Sequence, residues 1–113
     1  MDRKKELKQQ YKEMKTEAGV YQIKNTVNGK VWVKATPNLK TINGQLVQLR
    51  IGSHRNPRLQ EAWNLYGEDA FVFEVLEMVP ETAESTLARQ RVLKELEKKW
   101  LEKQQPFGEY GYN

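Results

Sequence analysis

Two aromatic residues, one histidine and one glutamate stand out as side chains whose types and spacing could do chemistry. Tyr21 and Trp32 fall in two β-rich runs, Val20-Tyr21-Gln22-Ile23-Lys24 and Lys30-Val31-Trp32-Val33-Lys34, with Asn28-Gly29 between them. Asn-Gly between such runs signals a hairpin because both residues tolerate positive φ, so the two rings are expected on facing strands of one sheet. Cross-strand packing is the plainer role for such a pair. His54 lies in a cationic loop, Gly52-Ser53-His54-Arg55, where an imidazole either carries a proton or is simply an exposed loop side chain. Glu97 falls beside Leu93 and Trp100 on a helical wheel, at the edge of an apolar stripe. A carboxylate partly desolvated there is compensated by a hard divalent cation or, more commonly, by Lys94 one turn earlier.

The rest of the composition removes many alternatives. The 113 residues allow one domain with one modest core, and 38% hydrophobic with 30% charged residues is ordinary globular material. With no cysteine and a single histidine there is no disulfide framework, zinc finger, thiol catalysis or multi-histidine metal site. Neither a Gly-rich phosphate loop, a Ser-His-Asp set nor a paired-carboxylate motif is present. The polar start and the short apolar runs give no signal peptide or membrane span, so the expectation is a small cytoplasmic domain.

Charge is unevenly distributed. No acid lies between Glu17 and Glu61, a stretch that holds Lys24, Lys30, Lys34, Lys40, Arg50, Arg55 and Arg58, whereas the part from Glu61 onward is net acidic. A one-signed surface of this kind attracts polyanions, and nucleic-acid phosphate is the commonest. A solvated lysine-rich face is the alternative.

These side chains need elements to position them. A polar helix over 2–16 carries a narrow stripe of Leu7, Tyr11 and Met14, and Gly19 breaks it. After the hairpin, Leu39, Ile42, Leu46 and Leu49 recur at helical spacing, with Asn43-Gly44 weakening the middle. Asn56 as N-cap and Pro57 at the first helical position start a helix lined by Leu59, Ala62, Trp63 and Tyr66, and Gly67 caps it. Phe71-Val72-Phe73-Glu74-Val75-Leu76 reads as a third strand, and a long helix runs from about Thr82 to Gln104. The fold class is α+β: a three-stranded antiparallel sheet flanked by helices, after an extra N-terminal helix.

Gly19-Val20-Tyr21 followed by Asn28-Gly29-Lys30-Val31-Trp32-Val33-Lys34 resembles the paired motif of the GIY-YIG nuclease family. Further matches keep the family's order: His54, Leu59-Gln60, Trp63-Asn64, Tyr66-Gly67, the third strand, Glu97 three residues before Trp100-Leu101, and Gly111-Tyr112-Asn113. The ordered series covers residues 19–113 and is similar to the intron-homing branch of that family. It divides the chain into a polar helix at 1–18 and a nuclease-like domain at 19–113.

The resemblance implies roles residue by residue. Tyr21 matches the first-motif tyrosine, His54 the family's histidine, Glu97 the ligand of one divalent ion (Mg2+ or Mn2+), and Asn113 the closing asparagine. Two positions depart from the pattern. Trp32 stands at the second tyrosine, and an indole N–H can donate but cannot accept a proton. The family's arginine is absent near Thr41 and Ile42, with Lys40 or Arg50 as substitutes that lack its position or its bidentate fork. Phosphoryl transfer depends on positioning and charge stabilisation, so both departures are expected to be costly.

Three functions stay open at this level: a nuclease-like domain that binds nucleic acid with impaired or lost cleavage, an active Mg2+- or Mn2+-dependent endonuclease with a rearranged site, and a protein-interaction module. The expected partner is nucleic acid, DNA before RNA, with no membrane. Homing enzymes join this module to a separate specificity region; only eighteen residues lie outside the match, so any DNA contact is expected to be weakly selective or assisted by a protein partner.

Overall fold

The computed structural model describes residues 17–80 and 85–113, so the expected helix over 2–16 lies outside the described residues. Strands β1 (Gly19–Asn25) and β2 (Val31–Thr36) form the antiparallel hairpin, with Ile23 opposite Trp32 and Tyr21 opposite Lys34. The turn is longer than an Asn-Gly pair alone: Asn25 N–H donates to Lys30 O, and only Gly29 takes a positive φ, of 77°. Asn25 and Asn28 side chains accept from Val27 and Lys30 N–H, which satisfies the loop and lets Asn28 keep an ordinary conformation.

Strand β3 (Phe71–Met78) pairs antiparallel with β1 on its other side, giving the order β2-β1-β3. A register shift between Val20 and Tyr21 lets β3 carry one extra residue there. The helical run after the hairpin starts as a 3-10 turn, Leu39–Thr41, and continues as α1 (Ile42–Ile51) straight through Gly44. Helix α2 (Pro57–Tyr66) has Asn56 as its N-cap, the side chain accepting from Leu59 N–H, with Pro57 at its start. Helix α3 (Thr86–Gln104) is capped by Ser85 and ends at Gln105 in the left-handed conformation. Its expected first residues, 82–84, lie outside the described residues.

Strand alternation sorts the core into two layers. Tyr21, Ile23 and Trp32 face α1 and α2, packing with Leu49, Leu59, Trp63 and Tyr112. Val20, Val31 and Val33 face α3, packing with Leu96, Val92 and Trp100. Leu59 is fully buried, and truncating such a leucine costs about 2–5 kcal/mol.

The tail returns to the outer edge of the hairpin. Gly111 bridges Val31 in parallel, and Tyr112 N–H donates to Val31 O at 3.0 Å. A Cβ on Gly111 would lie 2.4 Å from the Pro106 backbone, so only glycine lets the tail double back this closely. The outer edge of β2 is thereby covered. No helix among the described residues is long and apolar enough to cross a membrane.

Candidate functional site

Because Trp32 alternates with Val31 and Val33, its indole points to the α1 and α2 side, into the company of Tyr21 and His54. The Tyr21 and Trp32 rings meet edge to face at 6.1 Å, and Trp32 meets His54 the same way at 5.1 Å. Tyr21 is fully buried and its hydroxyl has no hydrogen-bond partner among the described residues. Burial pushes its acidity beyond the ordinary phenol range, so it stays protonated.

His54 is held by its own loop. Asn56 N–H donates to Nδ1 at 3.0 Å, which fixes the proton on Nε2, and Nε2 then donates to Gln45 Oε1 at 2.6 Å. Its backbone N–H donates to Gln60 Oε1. Burial lowers its pKa below the ordinary imidazole value, and the Lys34 charge lowers it further. The imidazole is therefore neutral near pH 7, and its one lone pair is already engaged.

Beside these rings opens a cleft of about 610 Å3, lined among others by Trp32, Lys34, His54, Arg55, Arg58 and Asn113. Gln45 and Gln48 of α1 also line it, and no Asp or Glu side chain does among the described residues. Lys34 Nζ lies 5.5 Å from the Trp32 ring centre, a cation–π distance. Three cations with no acidic side chain beside them in the described lining make this wall attractive to an anion. Arg58 also braces the tail, Nη2 donating to Gly108 O at 2.7 Å and Gly111 O at 2.9 Å.

The remaining predicted cations are elsewhere. Arg50 is forked onto Glu68, Nε donating to Oε1 at 2.6 Å and Nη2 to Oε2 at 3.0 Å. Neither Arg50 nor Lys40 lines the cleft, so neither stands in for the missing arginine there; Arg55 and Arg58 supply its guanidinium groups. Lys24 lies two residues after Gln22 on β1 and shares its face; the Gln22 side chain meets Gln104 of α3, so Lys24 belongs to the other face of the sheet. Lys30 lines a smaller adjoining hollow.

Asn113 is at the cleft, but both ends of its amide are used on β2: Val33 N–H donates to Oδ1 and Nδ2 donates to Val33 O. Glu97 is half-buried on α3, the helix that covers the opposite face, and is not among the residues lining the cleft. It makes no hydrogen bond or ion pair among the described residues, with Lys94 or otherwise. No three His, Asp or Glu side chains cluster as a metal site among the described residues. The cleft's own donor set thus does not fit a divalent cation. Glu97 alone fits only an ion of the Mg2+ type, which keeps several waters and needs few protein ligands.

Sequence reasoning did not single out Gln45 and Gln48. Their i, i+3 spacing beside Leu46 and Leu49 places them on neighbouring positions of one helix face, a signal that polar side chains at the rim of an apolar stripe make easy to overlook.

No family model matches the chain. The intron-associated endonuclease 1 of Enterobacteria phage T4 is 33% identical over 84 residues, which cover 73% of this chain and 34% of that protein. Among solved structures, the catalytic domain of homing endonuclease I-TevI superposes with a TM-score of 0.69 at 30% identity, over 85% of this chain and 96% of that one. A mutant of the same domain gives 0.66 at 29% identity, over 86% and 92%. The sheet order, the flanking helices and the ordered motifs define a GIY-YIG nuclease-like domain, and the chain belongs to the GIY-YIG homing-endonuclease-like family. It spans about a third of the length of the curated relative it matches.

Proposed function

We propose that this domain binds nucleic acid through the cleft beside Trp32, DNA first, and cleaves it poorly or not at all. One observation carries the reading: the cleft sets Lys34, Arg55 and Arg58 with no acidic side chain in its described lining, while the two nearby proton-transfer candidates are withdrawn. The Tyr21 hydroxyl is buried, and the His54 lone pair is committed to Asn56. Phosphate binding needs only the cations. Activating water needs a base with an open lone pair, and Trp32 cannot provide one. The charges hold a phosphate in place; no group at the cleft takes a proton from water. The cytoplasm is the compartment that suits a cysteine-free chain.

A second reading, an active Mg2+- or Mn2+-dependent endonuclease, draws on the absence of any described partner for the Glu97 carboxylate. Such an ion, when bound, supplies Lewis-acid polarisation of a phosphate oxygen. Incubating supercoiled plasmid with the protein and either metal, beside Glu97→Ala, separates the two. The first reading expects binding with a steep fall of affinity in rising salt, and no nicking above background. Metal-dependent nicking that Glu97→Ala abolishes establishes the second. No binding to DNA at low salt overturns both and favours a protein-interaction role.

A further inference from the structure

The cleft does not end at Arg58. A second hollow of about 250 Å3 shares Arg58 and Tyr112 with it and continues past them to Lys30, Leu65 and Tyr66. Tyr66 is 40% exposed and Leu65 76%, so an aromatic ring and an aliphatic side chain stand open to solvent beside two cations. In the main cleft the aromatic side chain is different. Trp32 is only 8% exposed and is wedged edge-on between Tyr21 and His54, so it offers no free face.

From this juxtaposition we infer that the hollow beside Tyr66 is a subsite for one unpaired nucleotide of a strand whose neighbouring phosphate lies against Arg58 and Lys30. The inference rests on the nucleic-acid reading above and adds the class of strand. A cationic track with an open aromatic ring is how sequence-tolerant single-strand binders work, because every base has a face to stack. A base held inside a duplex has both faces covered and gains nothing from Tyr66. Glu61, one turn after Arg58 on α2, is the one acidic side chain among the described residues that line the hollow.

The test measures anisotropy of a labelled single-stranded DNA and of the matching duplex with the full chain at low salt. Tyr66→Ala is expected to weaken single-strand binding about tenfold, with duplex binding nearly unchanged and Tyr66→Phe close to wild type. Wild-type affinity in Tyr66→Ala, or equal losses on both substrates, overturns the subsite. Binding of duplex but not of single strands overturns the subsite and leaves the nucleic-acid reading standing; binding of neither overturns both. A strand carrying 5-iodouracil, irradiated with the wild-type protein, keeps the test independent of variant folding. A crosslink to Tyr66 is expected, and crosslinks confined to other residues overturn the proposal.

Discussion

Asn113 acts as a surrogate strand for Val33: its Oδ1 accepts from Val33 N–H at 2.8 Å and its Nδ2 donates to Val33 O at 2.7 Å. The pair continues hydrogen bonding along the outer edge of β2, next to the residue that carries the indole. A side chain matched to the closing motif of a nuclease family is here an anchor that fixes where Trp32 sits.

Asn113→Asp should therefore be worse than a neutral loss, since a carboxylate keeps the acceptor but sets an oxygen against Val33 O. Urea denaturation should show a loss of about 1–3 kcal/mol for Asn113→Asp, with Asn113→Ala in the same range or milder. Stability equal to wild type in both variants would show the clamp to be idle.

Stability should fall on mild acidification through His54. Its folded pKa lies below the ordinary value of 6.5, chiefly because of burial, so the unfolded chain takes up the proton first. The contribution is fully present above the unfolded value and is lost as pH drops below it. Protonation also turns Nδ1 into a donor facing Asn56 N–H. Urea midpoints from pH 7.5 down to pH 5 should decline in the wild type and flatten in His54→Asn. Glu77, held low first by its hydrogen bond from Lys99 and then by that from Trp100, loses its contribution only further down, below the ordinary carboxylate value of 4.5.

Charge reversal discriminates the cleft from the rest of the cationic stretch. Lys34→Glu combined with Arg55→Glu should weaken duplex binding by about an order of magnitude or more and flatten its salt dependence. Arg50→Glu, whose parent side chain is already forked onto Glu68, should change DNA affinity far less. Equal losses in both proteins would mean that the cleft is not where phosphate binds.

Trp32→Tyr restores a phenol at the second-motif position. Plasmid nicking in the presence of Mn2+ should rise at least about tenfold over the wild type, the lower end of what one acid–base group contributes. An unchanged background would place the block on cleavage at the missing arginine and the engaged His54 instead.

Much of the fold was legible because local signals agreed with one another. The Asn56-Pro57 start of α2, the β-rich runs around Tyr21 and Trp32, and the third strand all appear where residue types place them. Gly44 misled only mildly: Leu46 and Leu49 packing against the sheet outweighs the propensity cost of one glycine. The site was less legible. That Tyr21 and Trp32 share a face follows from strand alternation, but the approach of His54 to Trp32, and which of its lone pairs are spent on Asn56 and Gln45, are set by loop geometry rather than by residue type. Nor does sequence show that Arg50 is tied to Glu68 while Arg58 reaches the cleft, since that depends on how α1 and α2 pack.

The return of the tail onto β2 bears on how the protein is handled at the bench. Asn113 lines the main cleft while its amide grips Val33, so a dye attached at this residue would sit at the mouth of that opening. Labels meant to leave ligand access untouched belong on exposed residues of α3 such as Lys98, away from the Trp32 side of the sheet.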